Sequence, residues 1–306
     1  MYVITGITGK VGGALARALL NDRQPVRAVV RDASKAGYWA ALGCEVAIAQ
    51  MDDAAALTEA FKGATGVFIL PPPGFDPAPG FPEARAVIAA VAQAIDAAAQ
   101  QKVLCLSTIG AQAEQLNLLT QRSLMEQALS ALDVPVTFLR PGWFMENAAY
   151  DVIAARETGV INSFLQPLDK AIPMMATADI GVLAAQLLQQ QWTGRRVVEL
   201  EGPHRVSPND IAQALADILQ RDVSVQLVPR DTWEPMFREQ GAKNPLPRMR
   251  MIDGFNEGWI CFEGNDEEEG QKPTTTVVRG LADKTASATR PRMSCTTGGR
   301  LEGRHT

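Results

Sequence analysis

The sequence has little histidine, tyrosine or net positive charge. Only His204 and His305 are present among 306 residues. A Ser-His-Asp triad would have to rest on His204, and no G-x-S-x-G segment supplies its nucleophile. Metal sites built on several His or Cys ligands are equally unsupported, so no metal is expected. Cys44, Cys105, Cys261 and Cys295 are scattered with no C-x-x-C. They read as reduced, mostly buried thiols of a cytoplasmic protein. Lys and Arg number 29 against 34 Asp and Glu, for a net charge of −5 and no basic stripe. That argues against nucleic acid and anionic membrane surfaces as partners. No run spans a membrane. The most apolar long stretch, Ala84 to Ala99, is broken by Arg85, Gln93 and Asp96, and reads as a packed helix. A signal peptide is not expected, because a strand pattern starts at Tyr2.

What is present is ordinary for a globular protein: 46% hydrophobic and 21% charged residues. The length suits a main domain with a smaller lobe. The chain opens on Tyr2-Val3-Ile4-Thr5, then Gly6-Ile7-Thr8-Gly9-Lys10-Val11-Gly12, with a helical pattern at once behind. In this strand–turn–helix context a glycine motif points to dinucleotide binding. Gly6 lets the chain turn, Gly9 lets backbone approach a pyrophosphate, and Gly12 lets the helix pack close to the sheet. The helix opened by Val11 presents free N–H groups and a positive dipole end to the phosphates. Lys10 can add charge there.

Apolar runs and helical patterns then alternate. Strands are expected at Pro25–Val30, Glu45–Ala49, Gly66–Leu70, Val103–Leu106 and Val136–Leu139. Helices are expected at Val11–Asn21, Ser34–Leu42, Ala54–Lys62 with Asp53 as N-cap, Glu83–Gln101 and Leu116–Leu132. Such alternation predicts an α/β fold, a Rossmann-type doubly wound parallel sheet. The second half is less regular. Helices are expected at Thr177–Gln191, after Ser207-Pro208-Asn209-Asp210, and at Thr232–Gln240. Strands are expected at Arg196–Leu200 and Val223–Val228. The expected organisation is a nucleotide-binding core over residues 1–150 and a segment over 151–263 that completes the sheet and forms a small substrate lobe. Residues 264–306 read as an acidic and Ser/Thr-rich tail, with a possible helix near Thr275–Asp283 and disorder from about Lys284.

The end of the second strand bears on the cofactor. An NAD site places Asp or Glu there, about 20 residues after the glycines, to bind the ribose 2′-hydroxyl. Here Arg31 stands at that point, followed by Asp32 and Lys35. A guanidinium suits the 2′-phosphate of NADP and can stack on adenine. Asp32, if turned inward, would serve NAD. NADP (as NADPH) is favoured over NAD.

Together, the Thr5–Gly12 segment, Val29-Val30-Arg31-Asp32, Phe68-Ile69-Leu70-Pro71-Pro72 and Thr137-Phe138-Leu139-Arg140-Pro141 carry a resemblance. From Met1 to about Trp259 the chain resembles the NmrA-like branch of atypical short-chain dehydrogenases/reductases. That branch includes NADPH-dependent quinone reductases, triphenylmethane reductases and the NADP-sensing regulator that names it. The resemblance implies that Ser107 and Arg140-Pro141-Gly142 border the nicotinamide. It also puts Thr8, Leu70 and Pro71 against the cofactor, and Gln50-Met51 on the adenine side, where the family's usual acid is missing.

Typical short-chain dehydrogenases use Tyr-x-x-x-Lys to pass a proton to the substrate oxygen. By spacing to Glu126, Leu118 here replaces the Tyr and Arg122 the Lys. Carbonyl reduction by the tyrosine mechanism is therefore not expected. Ser107 and Arg122 are the best catalytic candidates. Arg122 either anchors the ribose or the nicotinamide amide, or forms an i,i+4 pair with Glu126.

Two functions remain open. One is NADPH-dependent reduction of an aromatic, quinone-like small molecule, which needs mainly positioning of donor and acceptor. Trp143, Phe144, Met145, Phe164, Met174 and Met175 would form its apolar wall, Trp233 and Phe237 a lid, and Asn147 a hydrogen-bond partner. The other is a non-catalytic NADP(H)-sensing regulator with a protein partner. The oligomeric state is not legible.

Overall fold

A computed structural model of the chain describes residues 1–264, 266–269, 277 and 280. In the first half strands and helices alternate strictly: β1 (Tyr2–Ile4), α1 (Lys10–Asn21), β2 (Val26–Val30), α2 (Ala36–Ala41), β3 (Glu45–Ile48), α3 (Ala54–Phe61), β4 (Gly66–Ile69), α4 (Pro82–Ala97), β5 (Val103–Leu106), α5 (Thr120–Ser130) and β6 (Val136–Pro141). There follow β7 (Trp143–Phe144), α6 (Asp151–Glu157), β8 (Val160–Ser163), β9 (Met174–Met175), α7 (Thr177–Gln189) and β10 (Arg195–Glu201). The remainder is α8 (Pro208–Leu219), β11 (Ser224–Leu227), α9 (Trp233–Glu239), α10 (Leu246–Glu257) and β12 (Asp266–Glu269).

Eight strands form one parallel sheet in the order β12-β10-β6-β5-β4-β1-β2-β3. The chain runs outward from β1 to β3, then crosses to β4 on the other side of β1. The topological switch point, where ligands bind in such sheets, therefore lies between β1 and β4. Strand periodicity divides the core. Ile4, Ala28, Phe68, Leu104 and Leu139 pack against α1 and α7, whereas Val3, Val29, Val67, Val103 and Phe138 pack against α3, α4 and α5. Both faces are dry, as a parallel sheet requires.

Burial, not capping, holds α1 in place. Gly9 at its N-cap offers no side-chain hydrogen bond. Leu15 and Leu19 are fully buried, each contributing roughly 1.5–3 kcal/mol. At Gly181 of α7 an added Cβ would lie 2.5 Å from the Ala14 Cβ and 2.7 Å from the Leu15 nitrogen. The absence of a side chain there lets the two helices close on each other.

Several boundaries differ from the sequence reading. The expected Ser34–Leu42 helix is a 3-10 turn, Ala33–Lys35, followed by the short α2. The expected helix from Leu116 starts only at Thr120, because Asn117 forms a local turn. Its Oδ1 accepts the Leu119 N–H at 2.7 Å, while the Leu118 N–H is drawn to Pro247 O at 2.8 Å. Helix α4 stops at Ala97, and Ala99 follows with a positive φ of 48°. The acidic run 266–269 pairs in parallel with β10 as an edge strand. The expected disorder from 284 lies outside the described residues, as does the possible helix at 275–283 apart from Val277 and Gly280.

Beyond the sheet's carboxyl edge sits a smaller lobe. In it β8 pairs with β11 and both pack with α6 and α8, while α9 and α10 enclose Trp233, Phe237, Met249 and Ile252. Capping box Ser207/Asp210 starts α8 as its sequence signature indicated. No helix among the described residues is long and apolar enough to cross a membrane.

Candidate functional site

The switch point is stitched by Thr5. Its hydroxyl donates to Phe68 O at 3.0 Å and accepts the Leu70 N–H at 2.8 Å, tying the end of β1 to the end of β4. Gly6 follows with φ +62°, and an added Cβ there would meet the Leu70 side chain at 3.0 Å. At Gly12 an added Cβ would stand 2.5 Å from Gly6 O. Only hydrogen fits, so α1 begins hard against the turn. Thr8, Gly9 and Lys10 are exposed, whereas Val11 and Gly12 are buried. No acidic residue occupies the first turn of α1. The site thus has the cradle, the uncapped N–H groups and the electropositive helix end that a pyrophosphate needs.

At the tip of β2 Arg31 is exposed. Asp32 is turned away as the N-cap of the following turn. It accepts the Ser34 N–H at 2.8 Å and the Ser34 hydroxyl at 2.6 Å. Those bonds hold its carboxyl below the usual carboxylate range. Gln50 is exposed and reaches Arg31 O at 3.4 Å, while Met51 is buried in the core under β2.

On the other side of the switch point, Leu70 is half-buried and Pro71 buried. Arg122 of α5 bonds to Pro71 O and Pro72 O at 3.3 and 3.4 Å. Its pairing with Glu126, one of the two expected alternatives, does not form. Burial pulls the Arg122 guanidinium below its ordinary range, and burial pushes the neighbouring Cys105 thiol up to about 12. Glu126 is instead held by Arg140, at 2.9 Å from Nε to Oε1 and 2.7 Å from Nη2 to Oε2. Glu126 also accepts the Ser107 hydroxyl. The resemblance puts Arg140 beside the nicotinamide with Pro141 and Gly142. Its guanidinium is committed to Glu126, Glu263 and Gln112. Pro141 and Gly142 are buried, and an added Cβ at Gly142 would lie 2.5 Å from Pro173 O. Leu118 is buried.

The apolar wall is divided. Trp143 and Phe144 are half-buried on β7, and Asn147 is exposed. Trp143 meets the Phe255 ring edge-on at 5.2 Å between centroids. Met145, Met174 and Met175 are buried. Trp233 and Phe237 are fully buried, not poised as a lid. Both pack on half-buried Phe164, and the Trp233 Nε1 donates to Val228 O at 2.9 Å. They are the interior of the small lobe, for which a hydrophobic payload with one satisfied polar atom is the expected use.

Two contributors and one exposed aromatic ring escape sequence reasoning. Thr5 carries no motif beyond its place before Gly6. Glu126 looks like an ordinary helix-surface acid until β6 brings Arg140 to it. Phe75 is 71% exposed, on a loop fixed at both sides. Gln121 Nε2 binds Gly74 O at 2.9 Å, and Asp76 accepts the Lys243 and Asn244 N–H groups, each at 2.8 Å.

Comparisons with known proteins agree with this geometry. The model of the NmrA-like family matches residues 2–257. Quinone oxidoreductase 2 of Escherichia coli strain K12 is 27% identical over 290 residues, covering 92% of this chain and 98% of the relative. The NAD(P)H azoreductase of Xenophilus azovorans is 28% identical over 226 residues, covering 73% and 75%. The Citrobacter sp. triphenylmethane reductase, solved in complex with NADP(H), has the same fold. It superposes with a TM-score of 0.76 at 20% identity, over 92% of this chain and 99% of that one. With a glycine cradle at the switch point of a parallel sheet and a family match over residues 2–257, this chain belongs to the NmrA-like family.

Proposed function

We propose that the protein is an NADPH-dependent oxidoreductase that reduces a quinone-like or other electrophilic small molecule without a Tyr-x-x-x-Lys acid. The observation that carries this reading is at the β2 tip. Arg31 is free to face solvent there, while the adjacent Asp32 spends its carboxylate on Ser34. A 2′-phosphate would find a guanidinium there, with the neighbouring Asp32 already engaged. The names of the relatives, a quinone oxidoreductase, an NAD(P)H azoreductase and a triphenylmethane reductase complexed with NADP(H), point the same way.

In this reading Gly6, Thr8, Gly9, Lys10, Val11 and Gly12 receive the pyrophosphate at the start of α1, and Arg31 with Gln50 and Met51 receives the adenosine side. Leu70, Pro71, Ser107, Arg122, Pro141 and Gly142 bound the opposite side, where β4, β5 and β6 end. NADPH supplies the hydride. The chain's own contribution is alignment and exclusion of water by the half-buried Trp143 and Phe144 of β7. The Arg122 charge, held by two carbonyl oxygens and no carboxylate, favours an acceptor that becomes an anion. With that hydride carrying two electrons and one proton, an acceptor would need only one further proton, which water could give. A quinone suits this division because its reduced anion is delocalised and needs no placed acid.

Leu118 at the tyrosine position favours a second reading, an NADP(H)-sensing protein without turnover. Loss of reduced-nicotinamide absorbance on adding quinones, with NADPH and NADH in parallel, separates the two. Rapid NADPH-selective loss supports the reductase. Tight NADPH binding with no loss across quinones, azo dyes and triphenylmethane dyes supports the sensor.

A further inference from the structure

Ser107 stands one residue beyond β5, its N–H fixed to Leu139 O at 2.7 Å. Its side chain points to the α5 face of the sheet, where Glu126 waits. Glu126 Oε1 accepts from both the Ser107 hydroxyl and Arg140 Nε, and Oε2 accepts from Arg140 Nη2. Arg140 is buried on β6 and is held in turn by Glu263. A carboxylate gripped by a two-pronged guanidinium is an acceptor only. The serine has a single hydrogen, and here it is committed to Glu126. Rotating it away would set two oxygens against each other in a buried space and leave part of Glu126 unsatisfied. What Ser107 still offers is lone pairs.

The location matters because of the sheet order. With the pyrophosphate on the start of α1 and the adenosine at β2, the rest of a dinucleotide runs toward the ends of β4 and β5. Ser107 stands just past the end of β5. We infer that Ser107 acts as a hydrogen-bond acceptor for the N–H of the nicotinamide carboxamide, its polarity set by Glu126 and Arg140. Ser107 is then not a proton donor to the substrate, and Glu126 and Arg140 are positioning residues acting through it. The inference rests on the reading of the protein as NADP(H)-binding. It also gives Arg140 a role at the site without contact with the cofactor.

The test compares two ligands by titration calorimetry: NADP+ and its 3-acetylpyridine analogue, in which a methyl group replaces the carboxamide nitrogen. The wild-type protein is expected to bind NADP+ more tightly, by on the order of 3- to 10-fold. Ser107→Ala is expected to erase that ratio, and Ser107→Thr, which keeps the hydroxyl, to restore it. Glu126→Gln, whose amide can donate to the Ser107 oxygen, is expected to lower it. A ratio unchanged in Ser107→Ala overturns the assignment of Ser107, and one unchanged in Glu126→Gln overturns the role of Glu126. A ratio of one in the wild type also overturns the inference while leaving NADP(H) binding intact. Failure of the wild type to bind either ligand overturns the cofactor reading itself.

Discussion

Asp32 binds Ser34 twice, through the backbone N–H at 2.8 Å and the hydroxyl at 2.6 Å. That local cap occupies both carboxylate oxygens of the acid next to Arg31 in sequence. On the proposed reading, cofactor choice at the β2 tip rests on Arg31, with Asp32 held in the following turn. Asp32→Ala is accordingly expected to loosen the turn and leave the NADPH-to-NADH affinity ratio nearly unchanged.

Arg31→Glu is expected to weaken NADPH binding by about 10- to 100-fold, the span of one or two charge-assisted hydrogen bonds. NADH binding should change little. Titration of both cofactors checks this, and an equal loss of both contradicts the role given to Arg31.

Gly12→Ala would place a Cβ 2.5 Å from Gly6 O, against backbone that cannot yield cheaply. Urea unfolding should show a loss of about 1–3 kcal/mol or more, together with weakened NADPH binding. Gly37 in α2 is the control, since nothing lies within 4 Å of its added Cβ. Gly37→Ala should be neutral or stabilising by up to about 1 kcal/mol.

How far the sequence reveals this protein depends on the range of the forces involved. β1, the glycine turn and α1 are legible because strand pattern, turn residues and helix pattern meet within a dozen neighbouring positions. The buried run of β4 is legible for the same reason. The Glu126–Arg140 pair is not, since its two residues are joined only when β6 lies beside α5. Nor is β12 legible: four consecutive acids have poor strand propensity, and only the open edge of β10 makes them a strand. Sequence alone places Trp233 and Phe237 in a lid, because an aromatic helix face looks the same whether it meets solvent or, as here, Phe164. The helices α6 and α10 and the strand β8 lack strong periodicity and follow from packing in the small lobe, whereas β11 lies within the strand expected at Val223–Val228.

Burial raises the Asp151 carboxyl from 3.8 to about 6. The folded state then holds this proton where the unfolded chain has lost it. Stability from this group is greatest below about pH 4 and falls as pH rises through 6, by on the order of 2–3 kcal/mol. Asp151→Asn should therefore stabilise the protein at pH 7 and give no gain near pH 4. Thermal unfolding of both proteins across that window checks the sign.

Phe75 presents an exposed ring on the loop between β4 and α4, which is clamped by Gln121 and Asp76. Stacking on a planar acceptor contributes about 0.5–1.5 kcal/mol. Phe75→Ala should raise KM for planar quinones roughly 2- to 10-fold and leave the unfolding temperature unchanged. An unchanged KM removes this residue from the substrate side.

The most direct test of the central claim is to follow binding and consumption of NADPH and NADH in the same sample with a quinone acceptor. The account predicts tight NADPH binding, turnover with quinone and a clear NADPH preference. Tight NADPH binding with no consumption by any quinone or dye would contradict it and make this chain a sensor of the cofactor.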